Sequence, residues 1–129
     1  MKNIDCRKKN LINYIERVKG ECYQIVDEKV DKNEMFLYVI VLREIFNYFY
    51  SRLNCFEKID SETKKRRFIE CVKKCLDIVY HFVCEDDFDS LFIIYNSICL
   101  DTDSHNNVDL LSGSNLNCFL PPQKENMSA

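Results

Sequence analysis

The sequence predicts an all-α protein, a four-helix bundle. Long segments repeat apolar residues at spacings of three and four, the period of an amphipathic helix. Gly and Pro number only two each in 129 residues, and all four lie outside the predicted helices. A β-sandwich or barrel needs many tight turns and therefore many such residues. The chain is long enough to bury one sizeable core, so we expect a single domain.

The most apolar segment is residues 35–42, where eight consecutive residues are apolar or aromatic. A buried strand over residues 36–42 is the competing interpretation, but about twenty residues without Gly or Pro suit a helix better. We predict a helix over residues 34–54 that other helices surround, because it is apolar nearly all round. Arg43 and Glu44 would lie near the middle of a membrane span, so no membrane insertion is expected.

Three further helices are predicted, each from an apolar stripe at helical spacing. Gly20 stands where a left-handed C-terminal cap would end the first of them. Asp86 and Asp87 suit the start of the last, because carboxylates are favourable at the positive end of a helix dipole. The predicted helices cover residues 6–19, 34–54, 62–84 and 87–100.

The segment between the first two helices, residues 21–31, has no clean helical period. A short strand over residues 22–26, which leaves open a strand pair in the crossovers, and an extended crossover both fit it. Near the C-terminus, residues 116–122 are expected to pack against the bundle. We assign residues 1–122 to one helical domain and residues 123–129 to a disordered tail.

The composition argues against several function classes. The formal net charge is −3, whereas a nucleic-acid-binding domain is usually strongly basic. Cys84 and His81 lack an orienting carboxylate and a glycine-rich loop, so we expect neither enzyme activity nor a cofactor. Cys71 and Cys75 point away from His81 and Cys84 on one helix, so we expect no metal site. Residues 101–112 lack the Gly and Glu of a calcium loop.

Eight cysteines are the most unusual feature of the composition. An even number in a small chain suggests disulfides and an oxidising compartment. Residues 1–9, however, contain no apolar signal core, and free cysteines are often small buried hydrophobes. Two locations stay open: secreted, if a signal peptide was removed, or cytoplasmic with free thiols.

Four consecutive cations occupy the opening turns of the third predicted helix: Lys64, Lys65, Arg66 and Arg67. They oppose the helix dipole, so local stability does not account for them. We call them the cationic patch and consider them a candidate surface for an acidic partner. The alternative is a solvated face that Glu57, Asp60 and Glu62 screen.

Residues 22–31, 78–84 and 117–121 resemble segments of the short-chain four-helix cytokines, the group of stem-cell factor and macrophage colony-stimulating factor. These segments read Cys-Tyr-Gln-Ile-Val-Asp-Glu-Lys-Val-Asp, Ile-Val-Tyr-His-Phe-Val-Cys and Asn-Cys-Phe-Leu-Pro. The resemblance implies a disulfide between Cys6 and Cys84, and hence a first and a third helix that run antiparallel. It also implies a growth factor that engages a cell-surface receptor kinase as a homodimer.

The chief alternative is an intracellular helical protein of Bcl-type fold. In that fold amphipathic helices wrap a central apolar helix, and a groove receives a helix of the partner. The Lys-, Asn-, Ile- and Tyr-rich composition favours a viral protein of this kind, which modulates signalling or apoptosis in the host cytoplasm. Both interpretations predict a protein partner and no catalysis.

Overall fold

The computed structural model describes residues 6–104, with side chains up to Cys99. A 3-10 turn at Phe56–Lys58 connects the second and third of four α-helices. The all-α class is confirmed, and the described residues contain no strand. The predicted packing of residues 116–122 and the predicted tail lie outside the described residues. The helices are α1 Cys6–Lys29, α2 Lys32–Leu53, α3 Glu62–Cys84 and α4 Phe88–Ser104.

The first helix is longer than predicted, because α1 continues through Gly20 to Lys29. The predicted cap at Gly20 and the predicted strand over residues 22–26 are therefore wrong. A glycine inside a helix costs only about 1 kcal/mol relative to alanine, and a continuous buried stripe outweighs that cost. The buried residues of α1 recur at helical spacing on both sides of the glycine: Leu11, Ile15, Val18, Cys22 and Val26.

The four helices form a four-cornered bundle in which each helix packs mainly against two others. α1 and α4 each pack against α2 and α3, so α1 and α4 lie on one diagonal and α2 and α3 on the other. The connection from α2 to α3, residues 54–61, therefore crosses the base of the bundle. α2 and α4 start side by side, since the rings of Tyr38 and Phe88 lie 5.0 Å apart.

α1 and α3 run in the same direction. Near their starts, the Arg7 guanidinium donates to both carboxylate oxygens of Glu62, at 2.8 and 3.0 Å. Further along both helices, Tyr14 donates to Asp77 at 2.6 Å. The antiparallel packing implied by the cytokine resemblance is therefore wrong. The helix directions alternate along the chain, as in bundles with short connections.

α2 occupies a corner of the bundle, so the prediction that other helices surround it is wrong for its first half. Phe36 and Leu37 are 70% and 52% exposed. Further along α2, Val41 and Ile45 are buried, as expected of core residues. A corner helix has an outer side that faces water whatever residues it carries, and the first half of α2 is apolar on that side too.

The starts of α3 and α4 are fixed by side-chain caps. The Ser61 hydroxyl accepts from the Lys64 backbone N–H at 3.2 Å. Asp87 accepts from the backbone N–H and the hydroxyl of Ser90, at 3.2 and 2.7 Å, which confirms its predicted role at the start of α4. Asp86 has a φ of 56°, a left-handed conformation that Asp tolerates and that turns the chain from α3 into α4.

Candidate protein-binding face

A cleft opens between the starts of α2 and α4. Its volume is about 280 Å³, and Glu34, Leu37, Tyr38, Phe88 and Asp89 line it. Tyr38 is buried, and its ring meets Phe88 edge to face. The floor is therefore apolar and aromatic, while a carboxylate from each helix stands among the lining residues.

A hydrogen bond fixes the floor of the cleft from behind. The Tyr38 hydroxyl donates to Oδ1 of Asp86 at 2.5 Å, which ties α2 to the turn between α3 and α4. Burial, followed by this bond to Asp86, raises the pKa of Tyr38 above its ordinary value of 10.0. Tyr38 therefore keeps its proton across the physiological range and donates a hydrogen bond to the Asp86 carboxylate.

Aromatic rings continue from the cleft along α4. Phe88 and Phe92 stack with their ring centroids 5.9 Å apart, and Phe92 and Tyr95 stack at 5.8 Å. Phe92 is nevertheless 43% exposed. Ring pairs in such arrangements are stabilised by about 0.5–1.5 kcal/mol beyond the area they bury, which favours this arrangement of the row.

The apolar surface extends onto the outer sides of both helices. Phe36 and half-buried Ile40 are neighbours on α2 because they are four residues apart. On α4, Ile93 is 63% exposed. All the large hydrophobic side chains that are exposed among the described residues lie on α2 and α4. We call the following set the apolar face: Phe36, Leu37, Ile40, Phe88, Phe92 and Ile93.

Carboxylates surround this face. Glu34 and Asp89 are exposed, and neither takes part in the ion pairs found within residues 6–99. The nearest pairing of opposite charges along α2 is weak, because Arg43 Nε lies 3.9 Å from Glu44 Oε2. Together with Asp86, these carboxylates outnumber the exposed lysines at the same end of the bundle, Lys29 and Lys32, so the end is acidic.

The cationic patch lies at the opposite end, where α1 and α3 begin. Lys64 Nζ lies 3.9 Å from the Asp60 carboxylate, and Lys65 Nζ lies 5.0 Å from the centre of the Phe56 ring. Arg66 and Arg67 are exposed and join none of the ion pairs within residues 6–99. The patch as a partner surface stays a prediction.

Two of the acids expected to screen the patch are committed to cations of α1 instead. Lys8 Nζ contacts Glu57 at 2.7 Å, and Arg7 contacts Glu62. The hydrogen bond from Lys8 holds the pKa of Glu57 below its usual range, and the bond from Arg7 does the same for Glu62. Of these three acids only Asp60 forms an ion pair with the patch, although Glu57 and Glu62 still lie close enough to Lys65 to attract it.

Cys6 and Cys84, the predicted disulfide pair, are both free thiols in the structure. Burial raises the pKa of Cys22 to about 12, and the proximity of Cys84 adds to the shift. Cys84 therefore lies beside Cys22. Cys6, at the start of α1, is about 24 Å from Cys22 along the helix axis, at 1.5 Å per residue. The structure does not bring Cys6 and Cys84 together, because α1 and α3 run parallel.

Within the described residues, no group of three or more His, Cys, Asp or Glu side chains converges in a way that would hold a metal ion. None of the helices between Cys6 and Ser104 combines the length and the apolar character that crossing a bilayer requires.

The apolar face was missed at the sequence level. A signal was nevertheless present in α4, where residues 91–95 are consecutively apolar or aromatic and only one side of a corner helix can be buried. Comparison of the chain with protein-family models, curated proteins and solved structures found no match. Only the geometry above therefore bears on function.

Proposed function

We propose that this protein is a recognition module whose apolar face binds a helix of another protein. One observation carries the proposal: the exposed large hydrophobic side chains of the described residues all lie on the adjacent helices α2 and α4. Single exposed hydrophobic residues are normal, but a contiguous patch with a polar rim marks an interaction site.

The shape of the surface supports a helical partner. Two neighbouring helices that run in the same direction leave a groove along their seam, and helix-in-groove recognition uses anchors at helical spacing. Phe92 and Leu37 lie on either side of this seam and are partly exposed, so they are suited to contact such anchors. Aromatic side chains in packed surroundings often dominate binding energy.

The free energy gained by burying the exposed side chains indicates how strong the interface would be. Four side chains that are about half exposed would contribute roughly 5 kcal/mol on complete burial, at about 2–3 kcal/mol for each full side chain. Lost translational and rotational freedom costs about as much or more. The apolar contacts alone would therefore give weak binding, and polar contacts at the rim must supply the remainder.

The free thiols support the intracellular version of this proposal, a Bcl-type or similar modulator that binds a partner helix. Proteins of the reducing cytoplasm rarely contain stable disulfides, and the structure is held together by helix packing. A viral role in host signalling or apoptosis is the narrower form of the same proposal. The free thiols are Cys6, Cys22, Cys55, Cys71 and Cys84.

A secreted receptor ligand of the cytokine type is the second candidate. The observation that favours it is the cationic patch, where Arg66 and Arg67 are exposed without an ion-pair partner among the described residues. In that case the receptor would bind the cationic end, and binding would persist when the apolar face is altered.

The test uses a synthetic amphipathic helical peptide with a leucine stripe as the probe, with binding followed by NMR shift mapping and titration calorimetry. We expect shifts along the seam of α2 and α4. A Leu37→Ser/Phe92→Ser variant should lose binding, while Arg66→Gln/Arg67→Gln, a control at the opposite end, should retain it. Shifts confined to α1 and α3, or equal binding by both variants, would contradict the proposal.

A further inference from the structure

We infer that the partner helix carries Lys or Arg side chains along the edges of its apolar stripe. The inference rests on the proposed function and adds the charge of the partner to it. It follows from the positions of Glu34 and Asp89 within the cleft.

The two carboxylates come from different helices and therefore stand on opposite sides of the cleft. Asp89 follows Phe88 directly and lies one turn before Ile93, so it stands beside apolar side chains at the edge of the cleft. A helix in the cleft would meet a carboxylate at each edge. Cations at those edges would pair with Glu34 and Asp89, whereas acidic side chains there would be repelled.

Helix stability alone does not account for these acids. Both lie in the first turn of a helix, where the dipole favours a negative charge. That effect depends on position along the helix axis and would be similar on any side of the first turn. Asp87 already caps α4 through Ser90, so Asp89 is not needed for that role.

The surrounding charges reinforce the negative sign. Asp86 accepts from Tyr38, which is a neutral donor, so this contact brings no positive charge to the side of the cleft. Asp31 and Glu85 are exposed at the same end, at the start of α2 and the end of α3. Lys29 and Lys32 are exposed at this end too, but together with the partial positive charges of the two helix starts, about half a unit each, they amount to less than the charge of these carboxylates.

The experiment compares two synthetic peptides that share one leucine stripe and carry either Lys or Glu at its edges. We expect the Lys peptide to bind more tightly, and its advantage to shrink as NaCl is added. Removing each rim carboxylate should weaken the Lys peptide about twofold to fivefold. The variant is Glu34→Gln/Asp89→Asn.

A matched variant, Glu21→Gln/Glu70→Gln, removes the same charge from exposed positions on α1 and α3 that lie away from the cleft. Both peptides should bind it as they bind the unaltered protein. Because both variants carry the same net charge, a difference between them reports on the rim itself.

The outcomes separate this inference from the proposed function. Equal binding of the two peptides, unchanged in the rim variant, would overturn the inference and leave the proposed function standing. Failure of both peptides to bind at the apolar face would overturn both. Self-association that Leu37→Lys abolishes in sedimentation velocity would identify a second copy as the occupant and overturn the basic partner helix.

Discussion

The two ends of the bundle use similar residues in opposite ways. At the cationic end, where α1 and α3 begin, Phe56 is completely buried and Arg7 and Lys65 lie over its ring. At the acidic end, where α2 and α4 begin, Phe36 is 70% exposed and Asp89 joins no ion pair within residues 6–99.

The connections between the helices account for this difference. The crossing connection between α2 and α3 covers the base of the bundle with apolar side chains, among them Ile59. The opposite end has only the two-residue link before α2 and the short turn before α4, so within residues 6–99 nothing covers the outer sides of these helices. A surface of this kind is available to a partner.

The sharpest way to break this comparison is a matched pair of Phe→Ala substitutions. Phe56→Ala should lower the free energy of unfolding by about 3–5 kcal/mol, because it leaves a cavity in a closed end. Phe36→Ala should change it by less than about 0.5 kcal/mol, since the ring is mostly in water. Urea denaturation followed by circular dichroism measures both.

One result for Phe36→Ala would contradict the comparison of the two ends. A loss of more than about 2 kcal/mol in Phe36→Ala would mean that the ring is buried in the folded protein. The acidic end would then be closed, and the apolar face would not exist as a binding surface.

The closed parts of the fold were the predictable ones. The bounds of α3 were predicted as the structure has them, because a local cap at Ser61 and an uninterrupted apolar stripe define them. Val41 and Ile45 are buried as members of the apolar helix predicted over residues 34–54. The end of α1 was missed because Gly20 was given more weight than the stripe through Cys22 and Val26.

The exposure of the first half of α2 was not predictable from local sequence patterns. Residues 35–42 predict a helix with no water-facing side, and only the positions of the neighbouring helices decide which of its residues stay exposed. The diagonal crossing between α2 and α3 places α2 at a corner, and no periodicity in the sequence encodes that crossing. The apolar face is therefore a property of the assembly of helices, and so is the cleft beside Tyr38.

The second prediction examines a buried charge in the last turn of α2. Arg52 is 5% exposed, and its Nε and Nη1 lack a hydrogen-bond partner among the residues that the structure describes. Its remaining contacts are weak: Nη2 lies 3.7 Å from Cys55 Sγ, and the guanidinium lies over the Tyr48 ring. Replacing such a charge with an apolar group of similar length is often neutral or stabilising by about 1–4 kcal/mol.

We therefore expect Arg52→Met to unfold at an equal or higher urea concentration. Arg52→Ala serves as the control, because it also removes the aliphatic stem and should be destabilising through lost packing. A loss of more than about 2 kcal/mol in Arg52→Met would show that the guanidinium makes a strong polar contact, since breaking a buried pair costs at least that much.

The third prediction concerns the bond that holds the open end. Tyr38→Phe removes the donor to Asp86 and should cost about 1.5–3 kcal/mol, the range for a hydrogen bond to a charged group. Amide hydrogen exchange should accelerate most at the starts of α2 and α4. Tyr14→Phe, which loses the bond to Asp77 on the other side of the bundle, should leave those amides unchanged.

The raised pKa of Tyr50 predicts how the stability of the protein depends on pH in the alkaline range. Burial and a hydrogen bond to Glu16 raise the pKa of Tyr50 from 10.0 to about 12. The folded state therefore holds a proton that the unfolded state releases above pH 10.0. The stabilising contribution is complete below pH 10.0 and is lost as the pH rises towards about 12. Tyr50→Phe should flatten the fall in the urea midpoint across this window.

The smallest expected effect is at the cationic patch. Arg66→Gln/Arg67→Gln removes two exposed charges in the second turn of α3, where the opposing dipole is already weaker, so the free energy of unfolding should hold or rise by less than about 0.3 kcal/mol for each charge at low ionic strength. Any gain should disappear in high salt, because screening removes the repulsion. Lys73→Gln/Lys74→Gln, further along the same helix, is the control that should show no gain.

A clear loss of stability in the patch variant would mean that these arginines pair with groups of the folded chain. The cationic end would then be closed by charge as well as by packing. If stability rises while binding of an acidic protein partner slows mainly in its association rate, the two ends serve two partners, and the patch is a steering surface.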